Sequence, residues 1–249
     1  MALVAVLLAG PRAATGADTA QLTVFAASDL ALAFAEILPG FERATGAEVT
    51  LVVSSTGTLA KQIEQGAPAD VFFAANVAFI EDLARKGAVR ADTQTIYARG
   101  RIVLATARGT GRTLARLEDL TRPEVRRIAI ANPEHAPYGQ AAREALVSLG
   151  LWESLRPKLV YGENVRQALQ FLQSGAVEAA IVARAVADVP EIAYVMIDAA
   201  LHRPIVQAAA VTTRSRRPYA ARGFLAFVTG PEGRPIMERY GFELPPPGG

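Results

Sequence analysis

Apolar residues along this chain follow two spacings that alternate from one end to the other. Short runs rich in β-branched and small residues predict buried strands at 22–26, 49–53, 70–73, 101–106, 127–131, 159–161, 179–182, 194–197 and 205–211. Between them apolar residues recur every three or four positions, as at Phe34, Ile37, Leu38 and Phe41, and predict helices over 30–44, 59–65, 78–86, 140–149, 165–173, 219–228 and 231–240. Pro39-Gly40 lies inside the first of these and is predicted to kink or split it. Repeated strand-helix-strand units predict an α/β architecture of mostly parallel sheets flanked by helices. The charged, glycine-bearing stretch 108–112 separates a first block from a second with the same rhythm, and a shorter third block closes the chain. Two lobes follow, with the tail returning to the first: 18–104 with 205–249, and 105–204. The crossings between them are expected near 101–107 and 204–210.

Composition narrows this picture. With 51% apolar and 20% charged residues among 249, the chain has enough apolar material to bury a full core. Its 26 basic and 24 acidic residues nearly cancel, and the arginines are scattered between acids without a basic run, so nucleic acid is not an expected partner. Cysteine is absent, which excludes disulfides, thiolate metal sites and cysteine nucleophiles. Residues 2–9 are apolar, and Gly10-Pro11-Arg12 with the small residues 13–17 supplies the break of a secretory leader over 1–17, so an exported chain is expected. No other run approaches the length of a membrane span.

Candidate chemistry gathers where predicted strands hand over to helices. Ala26-Ala27-Ser28-Asp29, Ser54-Ser55-Thr56-Gly57 and the segment from Asn132 to Gly139 each place hydroxyls or small residues before a helix. The first turn of a helix has unpaired N–H groups and the positive end of the helix dipole, so such a loop can hold an anion without a charged side chain. The same Ser55 or Thr56 equally suits a simple helix cap. In open α/β sheets these loops lie at the carboxyl ends of the strands, where ligands collect. Catalysis has little support. His135 and His202 are two scattered histidines, and neither a Gly-x-Ser-x-Gly elbow nor a phosphate-binding Gly-x-x-x-x-Gly-Lys is present. His135 reads as a loop residue shaping the turn before Tyr138, and Trp152, with Leu151 and Leu155, as packing.

Val24-Phe25-Ala26-Ala27-Ser28, the stretch 55–72 with Gly66-Ala67-Pro68-Ala69-Asp70-Val71-Phe72, Pro133-Glu134-His135 with Tyr138-Gly139, 152–159, Glu163-Asn164-Val165-Arg166-Gln167-Ala168-Leu169 and Arg239-Tyr240-Gly241-Phe242 together carry a resemblance over about 22–242. The chain resembles the molybdate-binding proteins of bacterial molybdate ABC transporters. The resemblance implies a two-lobed type II periplasmic-binding fold that closes on molybdate or tungstate and presents it to a membrane permease. It implies no enzyme activity and no cofactor, molybdenum entering only within the bound oxyanion, in a monomeric protein of the periplasm. Carried over by position, the ligand groups are the hydroxyl and amide of Ser28, the hydroxyl of Thr56, the amide of Tyr138 and the amide of Val165, with Asp29, Ser55 and Ala183 as neighbouring candidates. A gapless register from Phe25 puts Asp29 in the first position. An ionised carboxylate facing a dianion is repelled, so Ser28 takes that role and Asp29 is expected to point away and cap the helix. One match fails: several members have a ligand tyrosine where this chain has Ala183, and the phenol of Tyr138 is a candidate replacement. Arg166 and Arg184 read as solvent-facing residues beside the loops. An intracellular oxyanion sensor of the same shape, or an enzyme on this fold, are the alternative readings.

Overall fold

The computed structural model describes residues 21–111 and 113–246; the expected leader at 1–17 and the last residues of the proline-rich tail lie outside them. In chain order the strands are β1 Gln21–Ala27, β2 Glu48–Ser54, β3 Val71–Ala74, β4 Thr95–Gly100, β5 Ile102–Ala107, β6 Ile128–Ala131, β7 Leu159–Gly162, β8 Ala179–Ala183, β9 Ile192–Met196 and β10 Ile205–Val211. The helices are α1 Ala31–Thr45, α2 Thr56–Glu64, α3 Val77–Arg85, α4 Pro137–Ser148, α5 Trp152–Leu155, α6 Val165–Gln173, α7 Arg184–Ala187, α8 Pro218–Thr229 and α9 Gly233–Arg239. Short 3-10 turns fill several of the junctions, one of them Ser28–Leu30 directly after β1.

Two five-stranded sheets result, in the orders β2-β1-β3-β10-β4 and β7-β6-β8-β5-β9. In each, three strands run parallel while the strand that arrives from the other sheet, β10 in the first and β5 in the second, pairs antiparallel on both sides. The antiparallel pairings are absent from the mostly parallel sheets expected from the sequence. They follow from the crossings, because a strand that enters directly from the opposite lobe runs against strands that reach the sheet through helical connections. The first crossing falls at Arg101, between β4 and β5, and the second lies between Met196 and Ile205. All of β5 therefore belongs to the second sheet, which places the first division at residue 101 rather than between 104 and 105.

Strand β4 escaped the sequence reading. It is an edge strand whose partner strand is β10, with a single bridge from Arg99 to Glu243 on its other side, and its exposed Ile96 and Arg99 break the alternation that marks a half-buried strand. Helix α1 runs unbroken through Pro39, so it does not split there. Phe34, Ile37 and Phe41 form its buried face; Phe34 meets Phe73 and Phe224, and Phe41 meets Phe224, edge to face with centroids 5.0 to 5.7 Å apart. Such aromatic pairs contribute about 0.5 to 1.5 kcal/mol each beyond the area they bury, enough together to offset one lost helix hydrogen bond. Helix α4 begins at Pro137, earlier than the predicted 140. Proline has no N–H to lose at a helix start, and the shift places Tyr138 in the first turn.

Candidate functional site

Four chain segments reach the gap between the lobes and line one small cavity: the end of β1 with its 3-10 turn, the start of α2, the start of α4 and the start of α6. The lining includes Ser28, Asp29, Ser55, Thr56, Tyr138 and Val165, and it contains no lysine or arginine. The four positions implied by the resemblance are thus together, two from each lobe.

Each segment presents donors for a reason visible in its local structure. Ser28 is 4% exposed, and among the described residues its hydroxyl has no hydrogen-bond partner, so the proton is left for the cavity. Thr56 Oγ1 accepts the amide of Ala75 at 3.0 Å, which fixes the oxygen and turns its own proton elsewhere. Ser55, by contrast, is occupied. It caps α2 by accepting from the Thr58 amide at 3.3 Å, bonds Thr58 Oγ1 at 2.7 Å, and meets His135 Nδ1 at 2.8 Å. The cap that the sequence allowed to either residue is Ser55, and Thr56 beside it also lines the cavity.

On the second lobe, α4 has no side-chain cap and its first residue is Pro137, so the amides of Tyr138 and Gly139 have no acceptor in their own helix. Gly139 is required by space, since a Cβ there would lie 2.1 Å from the carbonyl oxygen of Ala131. In α6 the side chain of Asn164 accepts from Arg166 and Gln167, both at 3.1 Å, and so serves the second and third amides of the helix while leaving that of Val165. The starts of α4 and α6 therefore bring unpaired N–H groups to a cavity that the start of α2 also lines, an arrangement suited to an anion.

Asp29 neither caps a helix nor lies free. Its Oδ2 accepts from Tyr138 Oη at 2.8 Å and from Gln207 Nε2 at 2.8 Å, and the same Gln207 nitrogen donates to Tyr138 Oη at 2.7 Å. The group joins the first lobe, the second lobe and the crossing strand β10. All three residues are at most 4% exposed, and Asp29 Oδ1 and Gln207 Oε1 have no partner among the described residues. Burial pushes the Asp29 carboxyl up to about 6, against the lowering effect of the bonds from Gln207 and Tyr138. The Tyr138 phenol is driven well above its ordinary range, chiefly by burial and then by the charge of Asp29. Its one proton is committed to Asp29, which removes the phenol as a replacement ligand and leaves Tyr138 its backbone amide.

Ala183 is fully buried at the end of β8 and is not part of the cavity lining. Arg166 is exposed on α6, and the side chain of Arg184 lies against Gly241, away from the cavity. Trp152 packs on the second core, with the Arg143 guanidinium 5.3 Å above its ring. His202 donates from Nδ1 to the carbonyl oxygen of Arg203 at 2.8 Å and is not part of the cavity lining. The sequence reading missed Gln207. A lone amide in the buried apolar run 205–211 was the available signal, because such a group needs a buried partner.

A family model described as bacterial extracellular solute-binding protein matches residues 22–243. The molybdate-binding protein ModA of Azotobacter vinelandii is 32% identical, covering 93% of each chain. That of Escherichia coli K12 is 31% identical over 92% of this chain and 91% of its own. Among solved structures, the periplasmic molybdate-binding protein of Azotobacter vinelandii superimposes with a TM-score of 0.85 at 31% identity, covering 90% of this chain and 99% of that one.

Proposed function

The chain belongs to the bacterial extracellular solute-binding proteins and, within them, to the molybdate-binding ModA proteins with their two-lobed type II periplasmic-binding fold, and from that premise we propose what its cleft does. It binds molybdate or tungstate between the lobes, in a non-catalytic role, and hands the ion to the permease of an ABC transporter. The observation that carries this is the donor set: two hydroxyls and the unpaired amides of two helix starts around a cavity whose lining has no basic side chain. Neutral donors from fixed backbone suit a tetrahedral dianion, whose charge they spread without the strong attraction that would hinder release. Sulfate has the same charge and shape, so selection against it rests on cavity size.

The described residues include no helix long and apolar enough to cross a membrane. A monomer exported to the periplasm is the working state of this reading. Ligand Ser28 and Thr56 act through hydroxyls, Tyr138 and Val165 through amides. Calorimetric titration with molybdate, tungstate, sulfate and phosphate tests it. Tight binding of the first two alone is expected, and equally tight sulfate binding sinks the assignment.

A further inference from the structure

The lobes touch at a second place. The amide of Gly57, in the first turn of α2, donates to the backbone carbonyl of His135 on the other lobe at 2.9 Å. Beside it Ser55 Oγ meets His135 Nδ1 at 2.8 Å, and His135 Nε2 lies 3.7 Å from Glu163 Oε2. The His135 side chain keeps 25% exposure, so this contact faces solvent, whereas the Asp29, Tyr138 and Gln207 group is buried against the crossing strand. The cavity residues Thr56 and Ala136 are the chain neighbours of Gly57 and His135.

Gly57 is not explained by its own lobe. Its φ is not in the left-handed region, and glycine is a poorer helix former than alanine at such a position. The opposite lobe supplies the reason. A Cβ at residue 57 would stand 2.7 Å from the His135 carbonyl oxygen and 2.9 Å from His135 Cβ, closer than real Cβ contacts come, and the first of these atoms is backbone. Only a residue without a side chain lets α2 dock on the 132–136 loop.

We propose that Gly57 and His135 form the outer latch of the cleft, which sets how long the bound oxyanion is held. This rests on the oxyanion-carrier reading for its ligand, but the contact itself concerns only the two lobes. With the latch made, an ion in the cavity leaves only after Gly57 and His135 separate. Residue 57 thus governs the dissociation rate without touching the ligand, and it acts as a positioning residue.

The chain has no native cysteine, so paired spin labels at Lys61→Cys and Glu134→Cys, both on exposed positions either side of the contact, report the lobe separation directly. The unsubstituted protein is expected to show a short-distance population that grows with saturating molybdate, and Gly57→Ala to lose it. Dissociation of radiolabelled molybdate into an unlabelled chase should speed up at least about 30-fold in Gly57→Ala, with the association rate within about threefold. His135→Ala keeps the backbone carbonyl and loses only the side-chain bonds, so roughly a fivefold faster dissociation is expected, the value of one net neutral hydrogen bond. A short-distance population that survives in Gly57→Ala, or is absent from the unsubstituted protein in both conditions, overturns the latch whether or not molybdate binds. Unchanged dissociation in Gly57→Ala overturns it as well. Failure of the unsubstituted protein to bind any oxyanion overturns the carrier reading instead, and the label distances still judge the latch.

Discussion

Replacing Asp29 by Asn isolates the cost of a buried charge at the junction of both lobes and the crossing strand. The carboxyl rises from 3.8 to about 6 because burial disfavours its ionised form more than Gln207 and Tyr138 favour it. Below pH 3.8 folded and unfolded chains both carry the proton, and the stability tied to the neutral carboxyl is fully present. Between 3.8 and about 6 the unfolded chain has released it while the folded chain keeps it, so each rise in pH costs stability until the folded group ionises too. Two pH units and a little more, at 1.36 kcal/mol each, make that loss about 3 kcal/mol. Asparagine does not titrate and retains an oxygen to accept from Tyr138 and Gln207, so the variant escapes the loss. Urea denaturation of both proteins from pH 4 to 8 measures it, since other titrating groups cancel in the difference. Asp29→Asn is expected to gain about 3 kcal/mol on the parent as pH rises, with most of the gain between 4 and 6. A difference that stays flat over that interval refutes the idea of a carboxyl buried against its own charge.

Ser28→Ala and Thr56→Ala should each weaken molybdate binding about 10- to 100-fold by calorimetry, the value of a hydrogen bond to a charged group; unchanged affinity in both removes the first lobe from the site. Tyr138→Phe strips the Asp29 carboxylate of its phenol donor and should cost about 1 to 3 kcal/mol in urea unfolding at pH 8, while molybdate affinity stays within about threefold because the amide remains. A large affinity loss with unchanged stability would show that the phenol faces the ion after all.

How far the sequence carried depends on which forces act locally. Helix α6 and strand β10 have the predicted bounds because their apolar periods are clean and Asn164 marks the helix start. Thr56 could be placed beside Ser55 by sequence, but which of them caps and which faces the cavity is decided by Ala75 and His135, 19 and 80 residues away. Pro39 misled because its helix-breaking effect is local, while the packing of Phe34 and Phe41 on Phe73 and Phe224 is not. Asp29 is the clearest case. Electrostatics alone said that it should avoid a dianion, and only the fold reveals that Gln207 and Tyr138 are waiting for it. Gly100 joins the same group from a distance, since a Cβ there would fall 2.2 Å from the Tyr138 hydroxyl oxygen.

On the proposed reading, the division of donors between lobes connects holding with release. Ser28 and Thr56 belong to the first lobe, Tyr138 and Val165 to the second, so an opened cleft would leave an oxyanion with half of the proposed donors. Two hydrogen bonds to a charged group are worth about 3 to 6 kcal/mol, which makes the open form roughly 10² to 10⁴ times weaker as a binder. A partner need not compete for the ion. Holding the lobes apart is sufficient, and the free energy it must supply is that of the lobe contacts plus the second pair of donors. On this account the neutral donor set and the latch have one purpose. A guanidinium in the cavity would hold the ion through open and closed forms alike, and opening would then no longer free it.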